Sequence, residues 1–238
     1  MNRPDIMVFG AHPDDIEIGC GGTILKLTDA GRHVVLVDLV RGELGTRGSA
    51  EIRAEEAARG AKILGVDARE NLELQDGHIR ITAEGRRRVA ETIRRWRPDT
   101  VLLPYWEDRH PDHSYASRLV YEGTFLAGLA RFDTGQDSHR PTRLIYYMGW
   151  YEFEPTFIVD ITAQIDRKME AIYAYSTQFR PDGSPDPQTR LTSPDTDWLI
   201  RSRMAYYGAR IRARYGEGFL IRGHLAVDDP LELKFQSF

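Results

Sequence analysis

His12, Pro13, Asp14 and Asp15 place one imidazole and two carboxylates within four residues, and His110, Pro111, Asp112 and His113 place two imidazoles and one carboxylate within another four. Such side chains hold divalent metals and move protons. A hydrolytic metal needs about three protein ligands and an open position for water. His12, Asp15 and His113 supply that set, which suits Zn²⁺ and permits Fe²⁺, Mn²⁺ or Co²⁺. Asp14 is then left beside the metal as a base for water. His110 can stabilise an oxyanion or protonate a leaving amine, with Asp112 fixing its tautomer. Each cluster alone has a plainer reading. Asp14 or Asp15 can cap a following helix, and His110 and His113 can be polar residues satisfied by backbone. Together they favour chemistry, because desolvated carboxylates and imidazoles gathered at one place cost stability unless a cation pairs them.

Both clusters follow apolar runs that read as buried strands, Ile6–Gly10 and Thr100–Leu103. Further strand patterns occur at His33–Val40 and Asn71–Leu74, with helical patterns at Gly22–Ala30, Ala50–Leu64, Ala83–Trp96 and Ser114–Leu129. The alternation predicts an α/β fold, a Rossmann-like, mostly parallel sheet flanked by helices. Both clusters then lie at the carboxyl edge of one sheet, where ligands bind in such folds. Arg143–Met148 and Thr156–Asp160 read as two more strands, and Ala163–Tyr175 and Trp198–Arg214 as helices, the last preceding an apolar patch at Phe219–Ile221. The chain thus reads as a single domain over 1–238, with a core over 1–130 and a C-terminal α+β extension over 131–238. Within the extension, residues 180–197 are rich in Pro, Asp, Gly, Ser and Thr and read as a long loop, a lid or an oligomer contact.

A chain of 238 residues, 41% hydrophobic and 29% charged, has an ordinary globular composition. The net charge of −4 argues against nucleic acid as a partner. One cysteine, Cys20, excludes an intramolecular disulfide and fits a reducing compartment. No stretch approaches the roughly 20 apolar residues of a membrane span. Met1–Asp5 pass straight into the first strand, so no signal peptide and a cytoplasmic location are expected.

Ala11-His12-Pro13-Asp14-Asp15 followed by Gly21-Gly22-Thr23, with the distal His110-Pro111-Asp112-His113, resembles the LmbE-like (PIG-L) family of metal-dependent N-acetylglucosamine deacetylases. Three intervening stretches are similar to one branch, the bacillithiol-pathway deacetylases that act on N-acetylglucosaminyl malate. They are Arg41–Gly48, Glu51–Glu56 and Pro104–Arg109. The resemblance implies that His12, Asp15 and His113 bind the metal, Asp14 is the general base, His110 stabilises charge and Arg53 contacts substrate. Arg53 could instead be a helix-surface residue pairing with Glu56. Arg53, Arg47 and Arg109 lie in or beside the same segments and could meet the malate carboxylates, while Glu43 and Arg47, on the loop after the second strand, face the expected site edge but serve equally well as solvated loop charges. Other conjugates, an inositol glycoside, chitobiose or a thiol conjugate, remain open. The resemblance also implies a small-molecule glycoside substrate and a homo-oligomer, often a hexamer, with no nucleic-acid or membrane partner.

Other classes fit less well. Gly19-Cys20-Gly21 loosely imitates a dinucleotide fingerprint, but Ile24 stands where its last glycine belongs, and Asp14 and Asp15 would repel a pyrophosphate. A non-haem iron oxygenase would leave Asp15 unused. A structural zinc module would want a fourth ligand, and Cys20, set among glycines, reads better as a small packed residue. His33, His78, His139 and His224 have no cluster around them and read as surface or structural residues.

Overall fold

In a computed structural model, which describes residues 3–180, 187–233 and 235, the first half follows strict alternation. Its elements are β1 (Ile6–Gly10), α1 (Asp15–Asp29), β2 (Val34–Val40), α2 (Ala50–Leu64), β3 (Ala68–Leu74), α3 (Ala83–Trp96), β4 (Thr100–Pro104) and α4 (Pro111–Ala127). Every residue of β1, β2 and β4 is buried, as strands covered on both faces must be. Then come β5 (Arg143–Tyr147), β6 (Phe157–Asp160), α5 (Ile165–Tyr173), α6 (Ser176–Phe179), α7 (Thr196–Ala209) and β7 (Gly216–Leu220). The apolar patch expected near Phe219 is thus a strand. Residues 181–186 of the expected long loop lie outside the described residues.

One seven-stranded sheet results, in the order β3-β2-β1-β4-β5-β7-β6. The first five strands in that order pair in parallel, whereas β7 runs antiparallel to both β5 and β6. Alternate strand residues feed two cores. Met7, Phe9, Val35 and Val37 pack with Val89, Ile93 and Leu119 of α3 and α4. Val8, Val34 and Leu36 pack with Ile16, Ile24, Leu64 and Ala171 of α1, α2 and α5. The order in which successive strands are added across the sheet reverses between the parallel β1 and β4, so the loops leaving these two strands diverge and open a crevice. Both His/Asp clusters sit on those loops. Among the described residues, no helix is long and apolar enough to cross a membrane.

Helix α1 begins seven residues before the expected Gly22 and is broken at Cys20, whose φ of −146° and ψ of 18° are not helical. Both broken ends are satisfied by one buried ion pair. The Glu217 carboxylate accepts the Gly22 and Thr23 amides at 2.9 and 2.7 Å, and Lys168 Nζ donates to the Ile18 carbonyl at 2.7 Å and to Glu217 at 2.6 Å. The break lets residues 15–19 lean over the crevice while the rest of α1 packs against the sheet.

Removing one charge of that pair strands the other in the core. Lys168→Met should therefore cost about 3–5 kcal/mol in denaturant unfolding. Lys168→Met/Glu217→Leu should recover only part of it, because Gly22 and Thr23 lose their acceptor. A single-variant cost below about 1 kcal/mol, the range of exposed pairs, would contradict this role.

Candidate metal centre and active site

The turn after β1 is closed by its own side chain: Asp15 Oδ2 accepts the His12 amide at 2.8 Å and lies 3.3 Å from His12 Nδ1. Asp14, at the top of this turn, has φ of 114°, a left-handed conformation that costs energy in any residue with a side chain. It occupies the N-cap of α1 but makes no capping hydrogen bond. Its carboxylate faces Arg53 Nη2 at 3.3 Å instead. The capping alternative therefore fails for Asp14, and the strain holds its carboxylate in the pocket.

After β4, Asp108 organises the second cluster. Its Oδ1 accepts the His110 amide at 2.9 Å and lies 3.1 Å from His113 Nδ1, while Oδ2 accepts the Trp150 amide at 2.6 Å. His110 caps α4, and Pro111 fits the first helical position. The tautomer of His110 is set by the backbone amide of Asp112, which donates to Nδ1 at 3.2 Å and leaves the neutral ring's proton on Nε2. The Asp112 carboxylate, expected to do this, accepts the Gly77 and Ile79 amides at 2.7 and 3.3 Å and lies 3.5 Å from His12 Nε2.

His12, Asp15 and His113 form a contact chain, with Asp15 3.3 Å from one imidazole and 3.2 Å from the other. His113 turns Nδ1 to Asp108, and His12 turns Nε2 to Asp76 at 3.2 Å, so each ring's second nitrogen faces Asp15. Carboxylate partners of this kind fix the tautomers of metal-binding histidines. His110 also brings a ring nitrogen within 4.8 Å of His12 and His113, and His12, Asp76 and Asp112 form a second such group. Protonation of His110 at Nε2 removes it as a ligand, which favours the Asp15 set. Charge also fits a cation: Asp14, Asp15 and Asp76 line the pocket and Asp108 and Asp112 stand against its histidines, while among the described lining residues the buried permanent cation is Arg53.

Titration follows from these contacts. Burial works against a proton on His12, but hydrogen bonds to Asp112, Asp15 and Asp76 outweigh it and raise its pKa well above the usual value. His113 is likewise disfavoured by burial yet pushed up to about 9 by Asp15 and Asp108. Asp15, despite burial, is held well below the usual carboxylate range by His113 and His12. Asp14 goes the other way. Burial pushes it up to about 7, with the Asp15 charge adding and the Arg53 and His12 charges opposing. His110 is lowered by burial and by the neighbouring His12 and His113, so it is neutral near pH 7.

The pocket, about 370 Å³, is lined by His12, Asp14, Asp15, Arg53, His110 and His113, with Asp76, Arg109, Trp150 and Gln178 around them. Arg53 is buried, donates to the Pro13 carbonyl and lies over the Tyr175 ring at 5.6 Å. It does not pair with Glu56, which binds Ser176 and Thr177. Arg109 lies 4.0 Å from the Trp150 ring at the pocket wall. Arg47 departs from expectation: it is buried outside the lining, donating to the carbonyls of Thr177 at 2.7 Å and Pro187 at 3.5 Å. Glu43 is also outside the lining and accepts the Asp76 amide at 3.1 Å. Asp76, Asp108 and Trp150 escaped the sequence reading. Asp76-Gly77 was a visible turn signal after β3, and Asp108 adjoined Arg109, but Trp150 had no local mark.

Metal analysis should find about one divalent ion per chain, lost on chelation and in Asp15→Ala; full occupancy in both His12→Ala and His113→Ala would contradict the ligand set. A second outcome concerns the chelated protein. The folded pKa of Asp14, about 7, lies above the ordinary 3.8, so its stabilising contribution is complete below the ordinary value and is lost as pH rises through 7. Asp14→Asn cannot ionise and escapes that loss. The Tm difference between Asp14→Asn and the parent should move in the variant's favour from about pH 5 to about pH 8. A flat or opposite trend would contradict the raised pKa.

The family profile described as PIG-L, GlcNAc-PI de-N-acetylase, matches residues 7–123. A diacetylchitobiose deacetylase of Thermococcus kodakarensis is 35% identical over 228 residues, covering 90% of this chain and 81% of that protein. A probable N-acetyl-alpha-D-glucosaminyl L-malate deacetylase of Bacillus anthracis is 27% identical, covering 75% of this chain and 83% of its own length. A conserved protein of Thermus thermophilus superposes with a TM-score of 0.86 at 36% identity, covering 94% of this chain and 98% of that one. With the fold, the two His/Asp clusters and these likenesses in agreement, the chain belongs to the PIG-L (LmbE-like) family of deacetylases.

Proposed function

We propose that this chain hydrolyses the N-acetyl amide of an N-acetylglucosamine conjugate, releasing acetate and a free amine. The observation that carries this reading is Asp14, a strained, buried carboxylate that can exchange a proton near pH 7, set beside His12, Asp15 and His113. Those three residues would hold a divalent ion, Zn²⁺ or one of Fe²⁺, Mn²⁺ and Co²⁺. When bound, it supplies Lewis-acid polarisation of the amide carbonyl and acidifies water. Asp14 takes the proton as the water oxygen bonds to the carbonyl carbon. His110, neutral with its proton on Nε2, donates to the oxygen that gains charge. The C–N bond then breaks, the nitrogen takes up a proton and leaves as the amine, and acetate departs.

The aglycone is read as a second sugar. The relative acting on diacetylchitobiose matches more closely and over more of the chain than the malate relative does, and an aromatic residue, Trp150, lines the pocket. The malate conjugate is the second reading, favoured by Arg109 beside Trp150. It is weakened by Arg47, which is committed to the Thr177 and Pro187 carbonyls. The exposed Tyr121 and Phe125 of α4, with Leu225, Val227 and Leu231 near the C-terminus, support the homo-oligomer that the resemblance implies.

Acetate release should be measured on N-acetylglucosamine, diacetylchitobiose, N-acetylglucosaminyl malate and an inositol glycoside. Diacetylchitobiose should give the highest kcat/KM. Asp14→Asn should keep its metal and lose roughly 10²–10⁴-fold in kcat, and His110→Ala roughly 10²–10³-fold. Malate preference that is lost in Arg109→Ala would establish the second reading. No acetate from any of the four by metal-loaded protein would overturn the function.

A further inference from the structure

Hydrogen bonds alone do not hold the Arg53 guanidinium. Both of its bonds leave from Nη2, one to the Pro13 carbonyl and one to Asp14 at 3.3 Å, while the buried Nε has no partner. The rest of the group lies against two surfaces. One is the ring of Tyr175, whose centre is 5.6 Å from Arg53 Cζ. The other is the loop after β2, where a Cβ on Gly42 would stand 3.3 Å from Nε. A desolvated guanidinium over an aromatic ring is held by the ring's charge distribution as well as by contact.

The ring is itself tied down by several elements. Its hydroxyl donates to Glu17 Oε1 at 3.0 Å. Burial pushes the pKa of that hydroxyl well above its ordinary range, with Arg69 opposing and Glu17 adding, so it stays a donor. Glu17 Oε1 also accepts Arg69 Nη1 at 2.5 Å, and Arg69 grips Asp38 through Nε and Nη2 at 2.7 and 2.8 Å. Helix α2 packs flush on the pair: a Cβ on Gly60 would come 2.7 Å from Glu17 Oε1 and 3.3 Å from the Tyr175 ring. Glu56, one turn beyond Arg53 on α2, accepts the Thr177 amide and hydroxyl, both at 2.8 Å. The chain just after Tyr175 is thereby fixed to the helix that carries Arg53. Tyr175 and Glu17 are fully buried and line no part of the catalytic pocket, so neither meets a substrate there.

We propose that Tyr175, anchored by Glu17, is a positioning residue whose ring is the platform that keeps Arg53 on Asp14 and on the Pro13 carbonyl. The Asp14 carboxylate is thereby held in the aim that proton transfer needs. The inference rests on the amide-hydrolase reading above, with Asp14 as base. It adds a layer behind the pocket, from α1, β3 and the junction of α5 with α6, that acts only through Arg53.

The test measures kcat for acetate release by metal-loaded protein. Tyr175→Met fills the space without a ring, and should keep its metal and lose roughly 30-fold in kcat. Tyr175→Phe keeps the ring and should stay within roughly 5-fold of the parent. In an Arg53→Met background, Tyr175→Met should cost less than roughly 3-fold more, because the platform then has nothing to aim. An equal loss with and without Arg53, an equal loss in Tyr175→Phe, or loss of the metal would leave Tyr175 a merely structural role and overturn the proposal. A crystal structure of Tyr175→Met reads the platform without catalysis. Arg53 Nη2 should leave Asp14 by more than the roughly 4 Å of an ion pair, and an unchanged contact would overturn the proposal. If Tyr175→Met does not fold, Gly60→Ala, whose methyl must displace Glu17 and the ring, should lose roughly 10-fold in kcat. An unchanged kcat there would also count against the platform. If the parent cleaves no amide, the hydrolase reading fails, while the crystal structure still decides what holds Arg53.

Discussion

The contact of Asp15 with both His12 and His113 is the interaction on which the rest of the site depends. It links the two imidazoles, which Asp76 and Asp108 hold from their other nitrogens, and the Asp15 carboxylate would be costly to bury without them. Around this chain of contacts stand Asp76, Asp108 and Asp112, each turned to a histidine and each also accepting backbone amides. The arrangement concentrates negative charge where, among the described residues lining the pocket, Arg53 is the buried permanent cation. A divalent ion held by His12, Asp15 and His113 would resolve the imbalance, taking the place of protons that the raised pKa values favour on the two imidazoles.

Asp14 illustrates how the fold separates two adjacent carboxylates. Asp15 is ionised well below the usual range and Asp14 is pushed up to about 7, because one faces two imidazoles and the other is buried with a single guanidinium. A pair driven apart in this way suits the proposed division into ligand and base. The positive φ at Asp14 is the backbone cost of aiming neighbouring side chains differently. The buried Lys168–Glu217 pair, by satisfying the break at Cys20, allows α1 to start at Asp15 at all.

Legibility in the sequence followed the range of the interactions. β1, β4, α2 and α3 were readable because burial on both faces and amphipathic spacing are local, and α2 and α3 match their expected ends. His12, Asp14, Asp15, His110 and His113 were readable because each cluster is contiguous and follows such a strand. The start of α1 was not readable, since Glu217 lies 195 residues from Gly22. Asp76 and Trp150 reach the site from loops after other strands, and only sheet order brings them there. Arg47 and Arg53 are alike as sequence. What separates them is that Gln178 and the Thr177 carbonyl hold the segment of Arg47, whereas Arg53 points along α2 to the turn after β1. For Asp112 the expectation had the correct histidine and the wrong atoms, because the amide rather than the carboxylate sets the His110 tautomer.

The central claim is that the metal takes Asp15 with His12 and His113, and that His110 is excluded by the proton on its Nε2. Anomalous diffraction at the absorption edge of the bound metal, from crystals of the metal-loaded protein, tests it most directly. The account predicts a single strong peak within bonding distance of His12, Asp15 and His113, with His110 Nδ1 still accepting the Asp112 amide. A peak coordinated by His110 in place of Asp15, or one between His12, Asp76 and Asp112, would contradict it.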